Sequence, residues 1–315
     1  MKYIETLREG MRISEIYLCK SKQIAVTKAG KEYGSLVLQD KTGTVDAKIW
    51  DLGSPGVGNF EALDYICVDA DVTVFMGSNQ LNIKRVRKAD EGEYVPADYL
   101  PVSSKNIEKM YSDLLAVIAS LKNPYLKKLA ESYFVKDPAF AKAFQFHSAA
   151  KTVHHGFVGG LLEHTLSVVK LCDYFAKAYP MLNRDLLLTA AMFHDIGKTK
   201  ELSVFPENDY TDDGQLLGHI VIGTEMVSDR IRTIPGFPDR LGAELKHCIL
   251  AHHGELEYGS PKKPALLEAM ALNLADNADA KMETMIEVLS SAGNNQGWLG
   301  YNRLLETNIR RTSEE

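Results

Sequence analysis

The chain has 315 residues, of which 45% are hydrophobic and 25% are charged, and its formal net charge is −6. This length suggests about two domains, on a prior of roughly 150 residues each, and the composition is typical of globular proteins with a substantial core. The acidic balance excludes a global basic field for nucleic acid, although a local basic strip could still bind it.

The cysteines and the apolar segments indicate a cytoplasmic protein. The 4 cysteines are scattered without a CxxC pair, which argues against a disulfide framework and against a zinc–cysteine site. No apolar run reaches the roughly 18 residues of a transmembrane helix, and the first residues lack the features of a signal peptide. We therefore expect a cytoplasmic location and no membrane partner.

Residues 1–90 are predicted to form a small β-domain. Short runs rich in β-branched and aromatic residues, separated by turn signals, span 13–18, 35–39, 45–49, 65–68, 72–75 and 81–86. The sequence Asp40-Lys41-Thr42-Gly43 suits a hairpin turn because its glycine can adopt a positive φ. Five or six short antiparallel strands in this length suggest a small barrel.

The segment from Gly34 to Trp50 resembles the central hairpin of an OB-fold of the nucleic-acid-binding type. Such a fold offers aromatic faces to bases and cationic side chains to phosphates. The candidates for substrate binding are Tyr33, Lys48, Trp50, Lys84, Arg85 and Arg87. Each has a structural alternative, because half of the positions in a strand face inward and basic edge strands often serve solubility.

Residues 91–104 are predicted to be a linker, because two prolines, a glycine and an acidic bias interrupt both the alternation typical of strands and the 3.6-residue period typical of helices. Residues 105–310 then follow a helical pattern, with Ser103 or Ser104 as the first N-cap. The predicted helices span 105–121, 124–134, 138–145, 159–178, 184–195, 218–233, 238–251 and 264–290, and residues 310–315 are expected to be a frayed tail. The fold class is therefore multidomain, with an OB-like β-barrel followed by an all-α domain.

Residue types that bind metals recur on these helices. Histidine and aspartate are both suitable ligands for a divalent ion. Taken singly, each histidine is more often structural, whereas a carboxylate on a buried helix must be paired or must bind a metal. The full set is His164, His194, Asp195, His219, His252, His253 and Asp276. Their recurrence in this order favours a metal centre.

The first part of this set, His164, His194-Asp195 and Asp276, resembles the defining motif of the HD superfamily of metal-dependent phosphohydrolases. The resemblance implies a first ion held by these residues and a second ion reached through Asp195 as a bridge. By the same resemblance, the second ion is held by His219 and one or both of His252 and His253. Such nitrogen–oxygen sites suit Mn²⁺, Co²⁺, Fe²⁺ or Zn²⁺.

Other residues near the ligands are candidates for catalysis beside Asp195. Lys198 lies one turn further along the chain and can meet a phosphate oxygen, although a charge at a helix C-terminus is its alternative role. His154 and His155 lead into the helix that carries His164. They can donate to a substrate phosphate or orient the ligands, with a structural role as the alternative.

The ligand set predicts hydrolysis of a phosphate ester or diester. Two cations a few ångströms apart lower the pKa of a shared water, and the resulting hydroxide attacks phosphorus in line. The ions and Lys198 would neutralise charge that develops on the phosphate oxygens. No nucleophilic Ser or Cys motif and no phosphate-binding Gly-rich loop stands out, so a covalent intermediate and NTP-driven chemistry are not expected.

An OB-like module before an HD domain resembles the YhaM family of bacterial 3′→5′ exoribonucleases. The segments 154–164 and 253–261 carry this resemblance in the helical part. It implies single-stranded RNA as the partner, with single-stranded DNA as a second substrate class. It also implies shortening from the 3′ end, release of nucleoside 5′-monophosphates, and dependence on Mn²⁺ or Co²⁺.

Two other functions stay open at this point. One is an HD-type cyclic-dinucleotide or small-nucleotide phosphohydrolase with a regulatory barrel, although the Gly-Tyr-Pro of the GYP subtype is not found after His253. The other is a non-catalytic protein that binds single strands, which would have no need of the ligand set. The sequence does not decide whether the chain forms a homo-oligomer.

Overall fold

The computed structural model describes residues 1–151, 155–293 and 295–313. The chain divides into two compact units. The first comprises Met1–Val102 and Phe205–Glu207, and the second comprises Ser103–Val204 and Asn208–Glu315. The first unit is built from strands and the second mainly from helices, which confirms the predicted fold class.

Strands of the first unit close into a barrel. They are β1 (Arg12–Val26), β2 (Glu32–Asp40), β3 (Gly43–Ile49), β4 (Tyr65–Phe75) and β5 (Ser78–Lys88). Their order is β1-β2-β3-β5-β4, and β4 pairs back onto β1. Neighbours are antiparallel except for β3 and β5, which are parallel. A closed five-stranded barrel of this kind is OB-like, as the sequence predicted.

Two of the predicted strands, 65–68 and 72–75, are a single strand, β4. The strand continues because Asp69 and Asp71 are only partly buried, whereas Val68, Ala70 and Val72 between and beside them are buried. Successive side chains of a strand point to opposite faces, so the two carboxylates leave the apolar face intact. The aspartates interrupt the run of apolar residues in the sequence, but buried and partly buried side chains continue to alternate through them.

Residues 91–102, most of the predicted linker, pack within the first unit. The side-chain amide of Gln39 donates to the carbonyl of Tyr99 at 3.1 Å. The ring of Tyr94 stacks on Tyr65 with centroids 3.8 Å apart. Because these aromatic contacts order the segment, the boundary between the two units lies between Val102 and Ser103.

The second unit contains α1 (Ile107–Ser120), α2 (Pro124–Phe134), α3 (Pro138–Phe146), α4 (Gly160–Ala178), α5 (Arg184–Phe193), α6 (Lys198–Glu201), α7 (Asp212–Arg232), α8 (Asp239–Leu250) and α9 (Leu267–Ser291). Most of these helices lie close to their predicted bounds. Within the described residues, no helix has both the length and the apolar character needed to cross a bilayer.

The first helix of this unit begins later than the sequence predicted. Its N-cap is Asn106, whose side chain accepts a hydrogen bond from the backbone N–H of Lys109. Such a cap typically contributes about 1 kcal/mol. Ser103 is not the cap, because the backbone N–H that its hydroxyl accepts from is that of Lys105, ahead of the helix; the same hydroxyl donates to the carboxylate of Glu163 at 2.5 Å.

Helices α4 and α5 form the centre of the helical unit. Every residue of α5 from Leu186 to Phe193 is buried, and so is α4 from Gly160 to Leu166. A helix that is apolar all round lies within the core, so the residues that follow it also begin in the interior. This placement explains why His194 and Asp195 are only 0% and 2% exposed.

Near the C-terminus the chain forms a β-hairpin. Strand β6 (Trp298–Asn302) pairs antiparallel with β7 (Thr307–Arg310). The prediction of a frayed tail was therefore wrong for Arg310 and Arg311. Arg310 pairs in register with Trp298, and the guanidinium of Arg311 donates to the carbonyl of Leu289 at 2.6 Å.

Candidate metal centre

Three helical segments bring a first group of ligands together. His164 lies on α4, His194 follows α5, and Asp276 lies in the middle of α9. The Nε2 atom of His164 is 3.1 Å from Nε2 of His194 and 3.2 Å from Oδ1 of Asp276. The potential ligand atoms of these three residues all lie within 4.8 Å of one another. One ion could therefore contact all three.

The carboxylate of Asp195 faces two groups of imidazoles. Its Oδ2 atom is 3.4 Å from Nε2 of His164 and 3.4 Å from Nε2 of His194. Its Oδ1 atom is 3.4 Å from Nε2 of His219 and 3.7 Å from Nε2 of His252. One oxygen for each group is the geometry that a bridging carboxylate requires.

A second group of potential ligands consists of His219, His252 and His253, whose ligand atoms also lie within 4.8 Å of one another. His219 belongs to α7, and the His-His pair follows α8. The imidazole of His252 is fully buried, whereas His253 is half-buried and lines a cavity. Both histidines of the pair thus belong to this second group, together with His219.

All the imidazoles of the two groups present Nε2 to the centre, because Nδ1 is engaged elsewhere. The partners of Nδ1 are the carboxylate of Asp279 for His164, the carbonyl of Ala191 for His194, the carboxylate of Glu201 for His219, the carbonyl of Ile249 for His252 and the carbonyl of Tyr258 for His253. These distances run from 2.7 to 2.9 Å. Such outer contacts fix ring orientation and tautomer in metal sites.

Atoms at the centre lack hydrogen-bond partners among the described residues. They include Asp195 Oδ1, His219 Nε2 and His252 Nε2, all of them buried. A buried polar group left unsatisfied costs about 1–3 kcal/mol, and more when it is charged. A divalent cation would engage all three lone pairs at once, and imidazole with carboxylate suits Mn²⁺, Fe²⁺, Co²⁺ or Zn²⁺. The residues present therefore fit a metal.

The electrostatics keep Asp195 and His252 in the protonation states that bind metals. Burial raises the pKa of Asp195, but Lys198 and His194 outweigh it and hold the pKa of the carboxyl well below its usual range. Burial and the neighbouring His253 lower the pKa of His252 well below its ordinary value. A carboxylate and a neutral imidazole are the forms that coordinate a cation. Burial lowers the pKa of His164, but the carboxylates of Asp276 and Asp279 outweigh it and raise that pKa to about 10, so a metal ion would have to displace a proton from this imidazole.

Two carboxylates in this region were missed by the sequence reasoning. Asp279 accepts from His164 and lies 3.1 Å from Nε2 of His155. Glu201 accepts from both the backbone N–H and the ring of His219, each at 2.9 Å. The available signal for Asp279 was its spacing of one helical turn from Asp276, which places both on one face of α9.

Three of the four predicted catalytic residues, Asp195, Lys198 and His155, lie within the described part of the chain. The ammonium of Lys198 lies 2.7 Å from Oδ2 of Asp195, and the side chain also lines a cavity. His155 is buried, lines the same cavity, and contacts Asp279. His154 lies outside the described residues.

The metal-centre cavity has a volume of about 660 Å³. Its inner wall includes His164, Lys198, His219 and Asp276. Cavities of roughly 300–1,000 Å³ hold small organic ligands. The centre is thus open to a ligand about as large as a nucleotide.

On the barrel, Tyr33, Lys48 and Trp50 form one cluster. The rings of Tyr33 and Trp50 stack with centroids 4.9 Å apart, and Trp50 is 45% exposed. The ammonium of Lys48 lies 5.9 Å from the centre of the Tyr33 ring and hydrogen-bonds to Ser35 at 2.7 Å. This part of the surface combines stacked aromatic rings with a cation.

The basic residues of β5 are exposed, but they differ in their partners. Lys84 and Arg85 lie beside a register irregularity in the pairing with β4. Lys84 is 4.0 Å from Asp71. Arg87 forms a two-pronged ion pair with Glu93 at 2.7 and 2.8 Å. Arg87 is therefore already neutralised by an acidic side chain.

Comparisons with known proteins agree with this architecture. A family model described as an HD domain matches residues 161–281. The 3′-5′ exoribonuclease YhaM of Bacillus velezensis is 36% identical over 285 residues, covering 89% of this chain and 88% of the relative. The 3′-5′ exoribonuclease YhaM of Bacillus subtilis is 34% identical over 281 residues, covering 89% of this chain and 88% of the relative.

A solved structure also matches part of the chain. The second OB-fold domain of replication protein A from Methanococcus maripaludis is 15% identical, with a TM-score of 0.24, and the match covers 30% of this chain and 98% of that one. The YhaM relatives match both units, at up to 36% identity over nearly the whole length of each chain. The chain therefore belongs to the YhaM family of 3′-5′ exoribonucleases.

Proposed function

We propose that this protein is a metal-dependent 3′→5′ exoribonuclease that shortens single-stranded RNA, and also single-stranded DNA, to nucleoside 5′-monophosphates. The observation that carries the proposal is the set of buried, unpartnered atoms Asp195 Oδ1, His219 Nε2 and His252 Nε2 beside a nucleotide-sized cavity. The YhaM relatives supply the substrate class.

The proposed ligands divide into two groups that share Asp195. The first ion would be held by His164, His194 and Asp276, and the second by His219 with His252 and His253. Mn²⁺ or Co²⁺ is the expected metal, and bound ions supply an activated water and neutralise phosphate charge. The protein positions the ligands beforehand through the Nδ1 contacts described above.

The side chains at the cavity wall would hold the terminal phosphodiester. Lys198 carries a positive charge beside Asp195 and faces the cavity, so it can contact a non-bridging oxygen. In the reaction, the oxygen of water bonds to phosphorus and the P–O3′ bond breaks. The shortened strand keeps O3′ as a hydroxyl, and the last nucleoside leaves as its 5′-monophosphate.

The barrel is the proposed holder of the strand. Stacked rings such as Tyr33 and Trp50 bind bases without sequence preference, and Lys48, Lys84 and Arg85 can meet phosphates. The proposed location is the cytoplasm, because the four cysteines are free thiols, as expected in a reducing compartment.

The test is degradation of 5′-labelled single-stranded RNA with Mn²⁺. We expect a ladder that shortens from the 3′ end and nucleoside 5′-monophosphates as products. Asp195→Ala should lower kcat by at least about 10²–10³-fold, because it removes the shared ligand. Asp229→Ala is the matched control, since that aspartate is 74% exposed on α7 and pairs only with Arg232 among the described residues.

Other results would favour other functions. Cleavage of a cyclic dinucleotide with intact RNA would favour the nucleotide phosphohydrolase. Tight RNA binding without cleavage under Mn²⁺, Co²⁺, Fe²⁺ and Zn²⁺ would favour a non-catalytic binding protein. Full activity of Asp195→Ala would rule out the proposed metal centre.

A further inference from the structure

The C-terminal hairpin has one face that carries two aromatic rings. The pairing of β6 with β7 shifts between Trp298 and Tyr301, so Trp298 pairs with Arg310 and Tyr301 pairs with Asn308. Because Asn308 and Arg310 are two residues apart on β7, they share a face. The bulge therefore places Trp298 and Tyr301 on that same face, although they are three residues apart.

This outer face of the hairpin is exposed, whereas the inner face is anchored. Trp298 is 67% exposed and Tyr301 is 63% exposed. On the inner face, Ile309 is 2% exposed, and β7 packs against α9. The hydrogen bond from Arg311 to Leu289 fixes the hairpin to the end of the same helix. The two rings are thus displayed on a supported element.

The hairpin is also basic in a protein that is acidic overall. The hairpin itself, residues 298–310, contains two arginines (Arg303 and Arg310) and one acidic residue (Glu306), a local net charge of +1 against −6 for the chain. Arg310 and Arg303 are exposed, and Arg310 belongs to the outer face. Stacking rings beside cations suit a strand with bases and phosphates.

The hairpin is continuous with the cavity of the metal centre. Leu304, in the turn between β6 and β7, lines that cavity together with Lys281 of α9. The helix that supports the hairpin also carries Asp276 and Asp279. A strand whose 3′ end occupies the cavity can therefore pass over the turn and onto the hairpin without leaving the helical unit.

We propose that the outer face of the hairpin, formed by Trp298, Tyr301 and Arg310, binds the nucleotides immediately upstream of the 3′-terminal residue of single-stranded RNA. The proposal rests on the proposed exoribonuclease function and adds a second binding surface to the barrel. The rings stack on bases, and the arginine pairs with the backbone. The hairpin thereby holds the shortened strand after each cleavage.

The test uses the full-length double variant Trp298→Ala/Tyr301→Ala. For RNA long enough to leave the cavity, KM should rise by about tenfold or more, because each stacked base contributes about 1–3 kcal/mol. A nitrophenyl ester of a nucleoside 5′-monophosphate has the scissile diester but no upstream nucleotide that could reach the hairpin, so its kcat/KM should stay at the wild-type value. Trp298→Phe/Tyr301→Phe should restore the KM for long RNA, and Arg310→Ala should raise it with a weaker salt dependence.

Tyr174→Ala is the matched control, because Tyr174 is 65% exposed on α4 and does not line the cavity. An unchanged KM for long RNA in the double variant would overturn the hairpin proposal. The exoribonuclease proposal would still stand in that case, provided that the wild type shortens RNA. Equal losses on long RNA and on the nitrophenyl diester would also overturn the hairpin proposal. The hairpin proposal would also be overturned if sedimentation velocity showed that the wild type is a dimer, that the double variant is a monomer, and that KM is the same for both. The two rings would then hold two copies of the chain together. Failure of the wild type to shorten RNA would refute the proposed function itself.

Discussion

Asp279 supports His164, a proposed metal ligand, without belonging to the proposed ligand set. Its carboxylate accepts from Nδ1 of His164 at 2.7 Å and also contacts His155 at 3.1 Å. Burial raises the pKa of Asp279, but the two imidazoles outweigh it and hold that pKa below its usual range. The residue is therefore an anion that orients His164 and increases its basicity.

The corresponding prediction is that Asp279→Asn weakens Mn²⁺ binding. The amide keeps the shape but loses the charge, and loss of such an outer partner typically costs about 10–100-fold in metal affinity. Isothermal titration with Mn²⁺ measures this directly, without RNA. Asp229→Asn should bind Mn²⁺ like the wild type. Equal affinities of Asp279→Asn and the wild type would mean that Asp279 has only a packing role.

The grouping of the candidate ligands could be predicted from the sequence, but the carboxylate that supports His219 could not. The chain has 9 histidines, so a recurrent pattern of histidine and aspartate at helical positions is informative. It has 42 acidic residues, among which Asp279 is distinguished by its spacing of one helical turn from Asp276, whereas nothing local distinguishes Glu201. Only the fold brings Glu201 to His219, 18 residues later in the chain.

At the scale of elements, α6 and α7 approach so closely that only glycine fits between them. A Cβ on Gly197 would lie 2.0 Å from the carbonyl oxygen of His219. The backbone of Gly218 is non-helical, with φ 72° and ψ 158°, so it interrupts α7 just before His219. These two glycines place the imidazole against Asp195.

We therefore predict that Gly197→Ala pushes α7 away from the metal centre. Overpacking of this kind costs about 1–3 kcal/mol in the free energy of unfolding, or more when backbone must move. Gly242→Ala is the control, because its Cβ would meet side chains no closer than 3.6 Å within α8. It should be neutral or gain about 0.5–1 kcal/mol. Urea denaturation of both variants gives the comparison, and equal stabilities would contradict the close approach.

The prolines and polar caps of the sequence predicted the boundaries of several helices, whereas nothing in the sequence predicted the C-terminal hairpin. Pro124 and Pro138 begin α2 and α3 as predicted, because proline is favoured in the first turn of a helix. The strands β6 and β7 are only 5 and 4 residues long, and a bulge interrupts their alternation. Runs so short and irregular carry no periodic signal, and their pairing depends on support from α9.

At the scale of the whole molecule, the two units carry different chemistry. The difference is not one of net charge, because the first unit has 13 basic and 16 acidic residues and the second has 23 basic and 26 acidic, a net of −3 each. The candidate metal ligands lie in the second unit, whereas the stacked rings of Tyr33 and Trp50 lie on the barrel. The YhaM relatives match both units, so the family combines such a barrel and such a helical unit in one chain.

The central claim is that Asp195 joins two ions in one centre. Its most direct test is anomalous X-ray diffraction at the manganese edge from crystals grown with Mn²⁺. We predict two peaks, one contacted by His164, His194 and Asp276 and the other by His219 with His252 or His253, each within coordination distance of one oxygen of Asp195. A single peak, or two peaks that do not share Asp195, would contradict the account.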